Sequence, residues 1–201
     1  MDYNFDLDDR KPMVKKVIKE VVIWLAEIAL VILLAYLIIA FGVEKTPVTG
    51  ESMETTLQNG DKIIVNKMVY RFSDPDRFDV IVFKQNGKEH SYYNMKRIIG
   101  LPGETVRIIN GTVYINGELL QEKIQTEPML NGGLADEEVV LEENEYFVLG
   151  DNRNNSEDSR FANIGNILRE DIIGKAWIRL KPFDFVNQMN TIHNQEEDQG
   201  E

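Results

Sequence analysis

Three short polar segments hold side chains that could do chemistry: VTGESMETTLQNGD at 48–61, KRIIGLPGE at 96–104 and GDNRNNSEDSR at 150–160. The third is the densest. It packs Gly150, Asp151, Asn152, Arg153, Asn154, Asn155, Ser156, Asp158, Ser159 and Arg160 into one stretch, too many short polar groups for a plain strand or helix. Alone, it could be a surface turn. The apolar run EYFVL leads straight into it, however, so the segment starts from the core, where polar side chains must find partners. Its carboxylates and guanidiniums can brace one another.

The first segment offers a nucleophile. Ser52 sits in a non-periodic Gly-Glu-Ser-Met stretch. A serine nucleophile needs a base, and the usual base is histidine. The chain has only two histidines, His90 in a polar run and His193 in the last residues, so a Ser-His-Asp triad has little support. Lysine is the alternative base. It must be neutral to accept a proton, so its pKa of about 10.4 has to fall by roughly 2–3 units, a cost of about 3–4 kcal/mol. Apolar burial supplies such a fall. Lys96 opens the run Lys-Arg-Ile-Ile-Gly. On a strand it would share a face with Ile98, while Arg97 and Ile99 point the other way. Most lysines are plain solvated side chains, and Lys96 by itself could be one.

The elements that must position these residues fall into two parts. Residues 21–43, VVIWLAEIALVILLAYLIIAFGV, form an apolar run with a single charge, Glu27. As a helix the run reaches about 34 Å, enough to span a bilayer core. It is too long for the apolar part of a cleaved signal, and no small-x-small site follows it. Arg10, Lys11, Lys15, Lys16 and Lys19 precede the run and only Lys45 follows closely. The positive-inside rule then puts residues 1–20 in the cytoplasm and the rest on the outer face of the plasma membrane, with 21–43 as a single transmembrane helix. Beyond it the texture is β. KIIVNKMVY, DVIVFK, EYFVLG and GKAWIRLKPF read as strands. VRIINGTVYINGELL reads as a hairpin about Asn110-Gly111, with a second tight turn at Asn116-Gly117. Residues 121–140 pattern weakly and suggest a loop; 187–201 look like a polar, acidic tail.

Composition removes several functions. The net charge of −12 gives no basic face for a phosphate backbone, so no nucleic-acid partner is expected. There are no cysteines, which excludes disulfides, zinc-thiolate sites and cysteine nucleophiles.

Together the three segments resemble bacterial type I signal peptidases. The resemblance rests on Ser52-Met53 followed by Thr56-Leu57 and Gly60-Asp61, on Lys96-Arg97 with Gly100-Leu101-Pro102-Gly103, and on Gly150-Asp151-Asn152-Arg153 with Asn155-Ser156 and Asp158-Ser159-Arg160. Their order and the N-terminal apolar run agree, and the likeness covers roughly residues 20–185. It implies a mainly β fold: an antiparallel catalytic domain at 44–186, interrupted by a small insertion at 105–144. It implies that Ser52 attacks the scissile carbonyl, that Lys96 takes its proton and that Ser156 orients the lysine. Asp158 and Arg160 would form one supporting ion pair, and Arg97 and Asp151 a second. Val48, Met53, Leu57 and Met95 would line small apolar pockets. The implied partners are the lipid bilayer and secretory preproteins with small side chains one and three residues before the cut, handled by a monomer with no metal and no cofactor.

The chain also departs from the family pattern. Thr55 stands where proline is usual. Phe78 interrupts the usual Arg-Gly-Asp, Glu104 stands for a common aspartate, and Gly50 occupies a place where some members carry an oxyanion-hole serine. Two other readings stay open: a self-cleaving Ser-Lys protease of the repressor type, and an anchored β-domain that binds a partner without catalysis.

Overall fold

The computed structural model describes residues 10–84 and 93–192, apart from the side chains of 10–13 and 38–40. Expectations for residues 1–9, for His90 and for the tail from His193 lie outside these residues. The chain divides into two units, Met1–Gly42 and Val43–Glu201.

The first unit is one helix, α1, spanning 33 residues from Arg10 to Gly42. Its interior lacks glycine and proline over the apolar run, so nothing breaks the i→i−4 ladder. Every described side chain from Val14 to Leu37 is exposed. Among the described residues no helix is long and apolar enough to cross a membrane. Side chains of the apolar run are described over 21–37 and again from Phe41, which is also exposed; the unbroken stretch 21–37 covers about 26 Å against a hydrocarbon thickness of roughly 30 Å.

The second unit is mainly antiparallel β. The strands are β1 (Val43–Pro47), β2 (Lys62–Asn66), β3 (Val80–Phe83), β4 (Asn94–Gly100), β5 (Thr105–Ile109), β6 (Thr112–Ile115), β7 (Glu118–Leu119), β8 (Val139–Val140), β9 (Glu145–Leu149), β10 (Ile167–Leu168), β11 (Ile172–Leu180) and β12 (Phe183–Phe185). The larger sheet runs β1-β2-β11-β3-β4-β9-β10, with β12 paired to β11. The smaller one runs β7-β6-β5-β8. Both Asn-Gly pairs make the expected tight turns: Asn110 and Gly111 have φ of 52° and 79°, Asn116 and Gly117 of 51° and 81°. The smaller sheet fills the stretch expected as an insertion. Its last strand, β8, comes from the weakly patterned 121–140.

Alternation along β4 decides where the chemistry sits. Lys96 pairs in register with Ile81, and Ile98 with Val148; Ile81, Ile98 and Val148 belong to one apolar cluster. Ile99, on the other face, packs with Val106, Phe147 and Leu149 between the two sheets. Strand β4 therefore packs on both of its faces, and Lys96 and Arg97 are both buried, one on each side. The chain past Val186 does not leave as a loose tail at once. Met189 is buried in a third cluster with Val65, Val80 and Met95, and the Asn187 amide donates to Asp79 Oδ1 at 2.8 Å.

Candidate active site

Ser52 stands on the loop between β1 and β2. Two plugs, Met53 and Leu57, both fully buried, fix that loop to the core, and a turn of backbone bonds onto Met53 O (from Thr56 N at 2.8 Å and Leu57 N at 2.6 Å) stiffens it. Lys96 reaches it from the middle of β4, and Lys96 Nζ donates to Ser52 Oγ at 2.6 Å. A cleft of about 400 Å³ lies over the pair, lined also by Asn59, Asn94, Asn155 and Glu157.

The lysine is 4% exposed. Burial pushes its ammonium down from the ordinary 10.5 to about 8, against the opposing pull of the Asp158, Asp151 and Glu157 carboxylates, with Arg160 adding a small push downward. At that pKa roughly one lysine in ten is neutral at pH 7. A neutral amine 2.6 Å from a hydroxyl can take its proton, so the arrangement can generate an alkoxide nucleophile without histidine.

The third motif closes over the dyad from behind. Arg97 Nε donates to Asp151 Oδ1 at 2.8 Å and Arg97 Nη2 to Asp151 Oδ2 at 2.6 Å. The Thr56 hydroxyl donates to the same carboxylate at 2.5 Å, tying the nucleophile's loop to the pair. Asn152 N–H donates to Ser52 O at 3.0 Å. Asp158 accepts Arg160 Nε at 2.8 Å and Gly150 N–H at 3.0 Å, while Arg160 Nη2 caps Arg153 O at 2.6 Å. Ser159 exchanges two hydrogen bonds with the backbone of Val148 on β9, at 2.9 and 3.1 Å. The polar density of the segment is thus spent inside the protein.

Ser156 stands apart. Among the described residues its hydroxyl is buried with no hydrogen-bond partner, and no bond to Lys96 is made. It lies hard against Gly150: a Cβ added there would sit 2.2 Å from Ser156 Oγ and 2.6 Å from Ser52 O. Only glycine leaves room for the serine hydroxyl and the nucleophile's backbone to meet.

The residues expected to line apolar pockets sit in the core. Val48, Met53, Leu57 and Met95 are all buried in the same core cluster, and none lines the cleft over Ser52. Their apolar side chains pack there with Ile63, Val65 and Val80. Two functional neighbours escaped sequence reasoning. Glu122, half-buried, pairs with the buried Arg153 and fastens the smaller sheet's long loop to the third motif; its segment has no pattern to reveal it. Asn59 lines the cleft, and nothing in Gln-Asn-Gly-Asp marks it beyond a turn. Among the described residues no group of three or more His, Cys, Asp or Glu could hold a metal.

A family model described as "Signal peptidase, peptidase S26" matches residues 21–181. The chain belongs to the signal peptidase S26 family. It is 41% identical over 169 residues to a signal peptidase I of Leptolyngbya laminosa, covering 81% of this chain and 80% of that one. It is 40% identical over 156 residues to a probable signal peptidase I-2 of Synechocystis, covering 75% and 69%. It is 33% identical over 187 residues to signal peptidase I P of Bacillus subtilis subsp. natto, covering 90% and 96%. As an S26 signal peptidase the chain is a serine endopeptidase. Its departures from the family pattern are absorbed locally. Glu104 closes a two-pronged pair on Arg77, at 2.9 and 2.5 Å, and also accepts Leu101 N–H at 2.7 Å. Phe78 takes a positive φ of 73°, the backbone that glycine would adopt freely, and its ring joins the inter-sheet core.

Proposed function

We propose that this chain is a membrane-anchored signal peptidase I that removes N-terminal signal peptides from secreted preproteins by a Ser52–Lys96 mechanism. The observation that carries this is the 2.6 Å contact between the Ser52 hydroxyl and a buried lysine whose pKa has fallen to about 8. Lys96 Nζ takes the hydroxyl proton as Ser52 Oγ adds to the scissile carbonyl carbon. The tetrahedral adduct collapses, the C–N bond breaks, and the lysine proton leaves with the amine that becomes the mature N-terminus. Lys96, neutral again, draws a proton from water. The hydroxide adds to the Ser52 ester; on collapse the C–O bond to Ser52 breaks, Lys96 returns its proton to Ser52 Oγ, and the freed signal-peptide acid ionises to a carboxylate. Arg97–Asp151 and Asp158–Arg160 hold the frame, and the role assigned to Ser156 is to steady the amine once Ser52 is acylated. The substrate lies as an extended strand in the cleft.

The anchor is the apolar run 21–43, and the basic residues before it put the catalytic unit outside. In support, an exposed helix with side chains such as Val22, Leu25 and Val31 more than half open has no reason to be stable in water. Detergent-solubilised protein mixed with a preprotein should release a new N-terminus at the signal junction. Ser52→Ala and Lys96→Ala should each abolish release while remaining folded, because nucleophile and base act as a unit. Lys96→Ala retaining more than about 5% of the activity would remove the lysine as base. Protease added to intact spheroplasts should digest residues after 45; full protection until lysis would reverse the topology.

A further inference from the structure

A serine protease must hold the negative oxygen of its tetrahedral adduct, and one donor does this poorly. The backbone N–H of Ser52 is the first donor. The residue two places before it, Gly50, has no side chain to offer a second. We infer that the side-chain amide of Asn59 is the second oxyanion donor. This rests on the Ser52–Lys96 reading above.

Three asparagines line the cleft: Asn59, Asn94 and Asn155. Asn155 is already committed, its Nδ2 donating to Glu51 Oε2 at 3.0 Å. Asn94 lies on β4 two residues before Lys96 and on the same face, so it belongs to the side of the base. The oxyanion forms on the other side, by the Ser52 N–H. Asn59 belongs to the nucleophile's own loop. That loop folds back on itself: Gly60 N–H donates to Val48 O at 2.9 Å and Val48 N–H to Asp61 O at 2.8 Å, which brings residue 59 opposite residue 50.

The orientation of the Asn59 amide follows from its partner. Gly50 N–H donates to Asn59 Oδ1 at 3.3 Å. A backbone N–H can only donate, so it selects the oxygen. The amide is planar, and its NH₂ must therefore face away from Gly50. No hydrogen bond engages that NH₂ within the described structure, whereas the cleft that Asn59 lines contains Ser52 and Lys96. Gly50, with φ of 88°, takes the left-handed turn that lets its N–H face Asn59. An L side chain there would strain the turn, so the loop uses a neighbouring amide as donor in place of a side chain at 50.

The test compares Asn59→Ala with Asn59→Asp on a preprotein or signal-junction peptide. Aspartate keeps an acceptor for Gly50 N–H but has no donor, and it sets a negative charge against the oxyanion. A donor role predicts that both variants lower kcat by about 10- to 1000-fold with KM within about threefold, Asp being no better than Ala. A peptide aldehyde ending in alanine forms a tetrahedral adduct on Ser52, and its affinity should fall in parallel with kcat/KM. If Asn59 merely braces the loop, Asp will outperform Ala, and that order overturns the inference. So would wild-type kcat in Asn59→Ala, or a rise in KM alone. Ser52→Ala is run alongside: activity surviving there would overturn the dyad itself, while a dead Ser52→Ala beside a fully active Asn59→Asp would overturn the oxyanion assignment alone.

Discussion

Arg97 holds Asp151 by a flat double hydrogen bond, 2.8 and 2.6 Å, with both side chains closed to solvent. Arg97 follows Lys96 directly on β4 but points to the opposite face. One strand therefore carries the base to one side and the anchor of the third motif to the other. The loop so anchored returns to the nucleophile, since Asn152 N–H donates to Ser52 O and Thr56 Oγ1 to Asp151 Oδ2. The three motifs form one closed hydrogen-bonded circuit, and the position of Ser52 relative to Lys96 depends on the ion pair behind them.

Breaking one partner of that pair should be worse than removing both. Asp151→Ala leaves a guanidinium buried without its counter-charge, a loss of about 3–5 kcal/mol. The double change Asp151→Leu with Arg97→Met removes both charges and should recover more than half of it. Urea unfolding of the detergent-solubilised protein measures both. Equal losses in single and double variants would show that the pair contributes shape and no charge balance.

Lys96 should be a liability for stability. Its folded pKa of about 8 lies below the ordinary 10.5. Between those values the unfolded chain binds the proton and the folded one does not, so stability rises with pH across the window. Below pH 8 the cost of the buried ammonium is fully present, up to about 3 kcal/mol for the gap. Lys96→Met should therefore melt higher than wild type at pH 7, and its advantage should shrink from pH 8 to 10.5. Thermal melts at two pH values check this. A Lys96→Met protein less stable than wild type at pH 7 would mean that the Ser52 contact outweighs the burial penalty.

The same fall sets the activity profile. kcat/KM should climb about tenfold per pH unit on the acid side and level off near pH 8 as Lys96 becomes neutral. The Glu157 carboxylate favours the ammonium, so Glu157→Gln should move the limb to lower pH. Glu157 is exposed, and the displacement should shrink as salt is added. A limb that stays in place at low salt would take Glu157 out of the field at Lys96.

Much of this was legible in the chain because local rules suffice for it. Alternation in KRIIG separated Lys96 from Arg97, and the Asn-Gly pairs fixed the hairpin register. The third motif's polar density implied internal partners, which Asp158, Arg160 and Ser159 have. What failed to show depends on contacts between distant segments. Val48, Met53, Leu57 and Met95 look equally suited to a pocket or a core, and only three-dimensional packing decides between them. Glu122 and Asn59 lie in stretches without period, and their partners are 31 and 9 residues away. Phe78 stands where the family pattern has glycine and takes a left-handed backbone; a sequence pattern reports the substitution and not the φ.

Ser156 tests whether strain at the site is functional. Among the described residues its hydroxyl is buried without a partner, which costs about 1–3 kcal/mol. Among the described residues, Ser52 is the one hydroxyl that holds the Lys96 amine in the free protein. Once Ser52 is acylated that hydroxyl is gone, and the lysine's long stem has many rotamers to explore, worth about 1–2 kcal/mol of entropy. The Ser156 hydroxyl, which packs against Gly150 where Ser52 O also approaches, would then hold the amine for the hydrolytic step. On this account Ser156→Ala removes an unsatisfied group and should melt at or above the wild-type temperature, while kcat falls by about 10- to 1000-fold with KM little changed. The acid limb should shift by less than about one unit, because the burial around Lys96 survives. Ser156→Thr should keep part of the rate, limited by crowding against Gly150, where Ser156 Cβ already lies 2.5 Å from the point a Cβ would occupy. A variant that is both less stable and fully active would make Ser156 a structural residue and leave the lysine to be steadied by its buried surroundings alone.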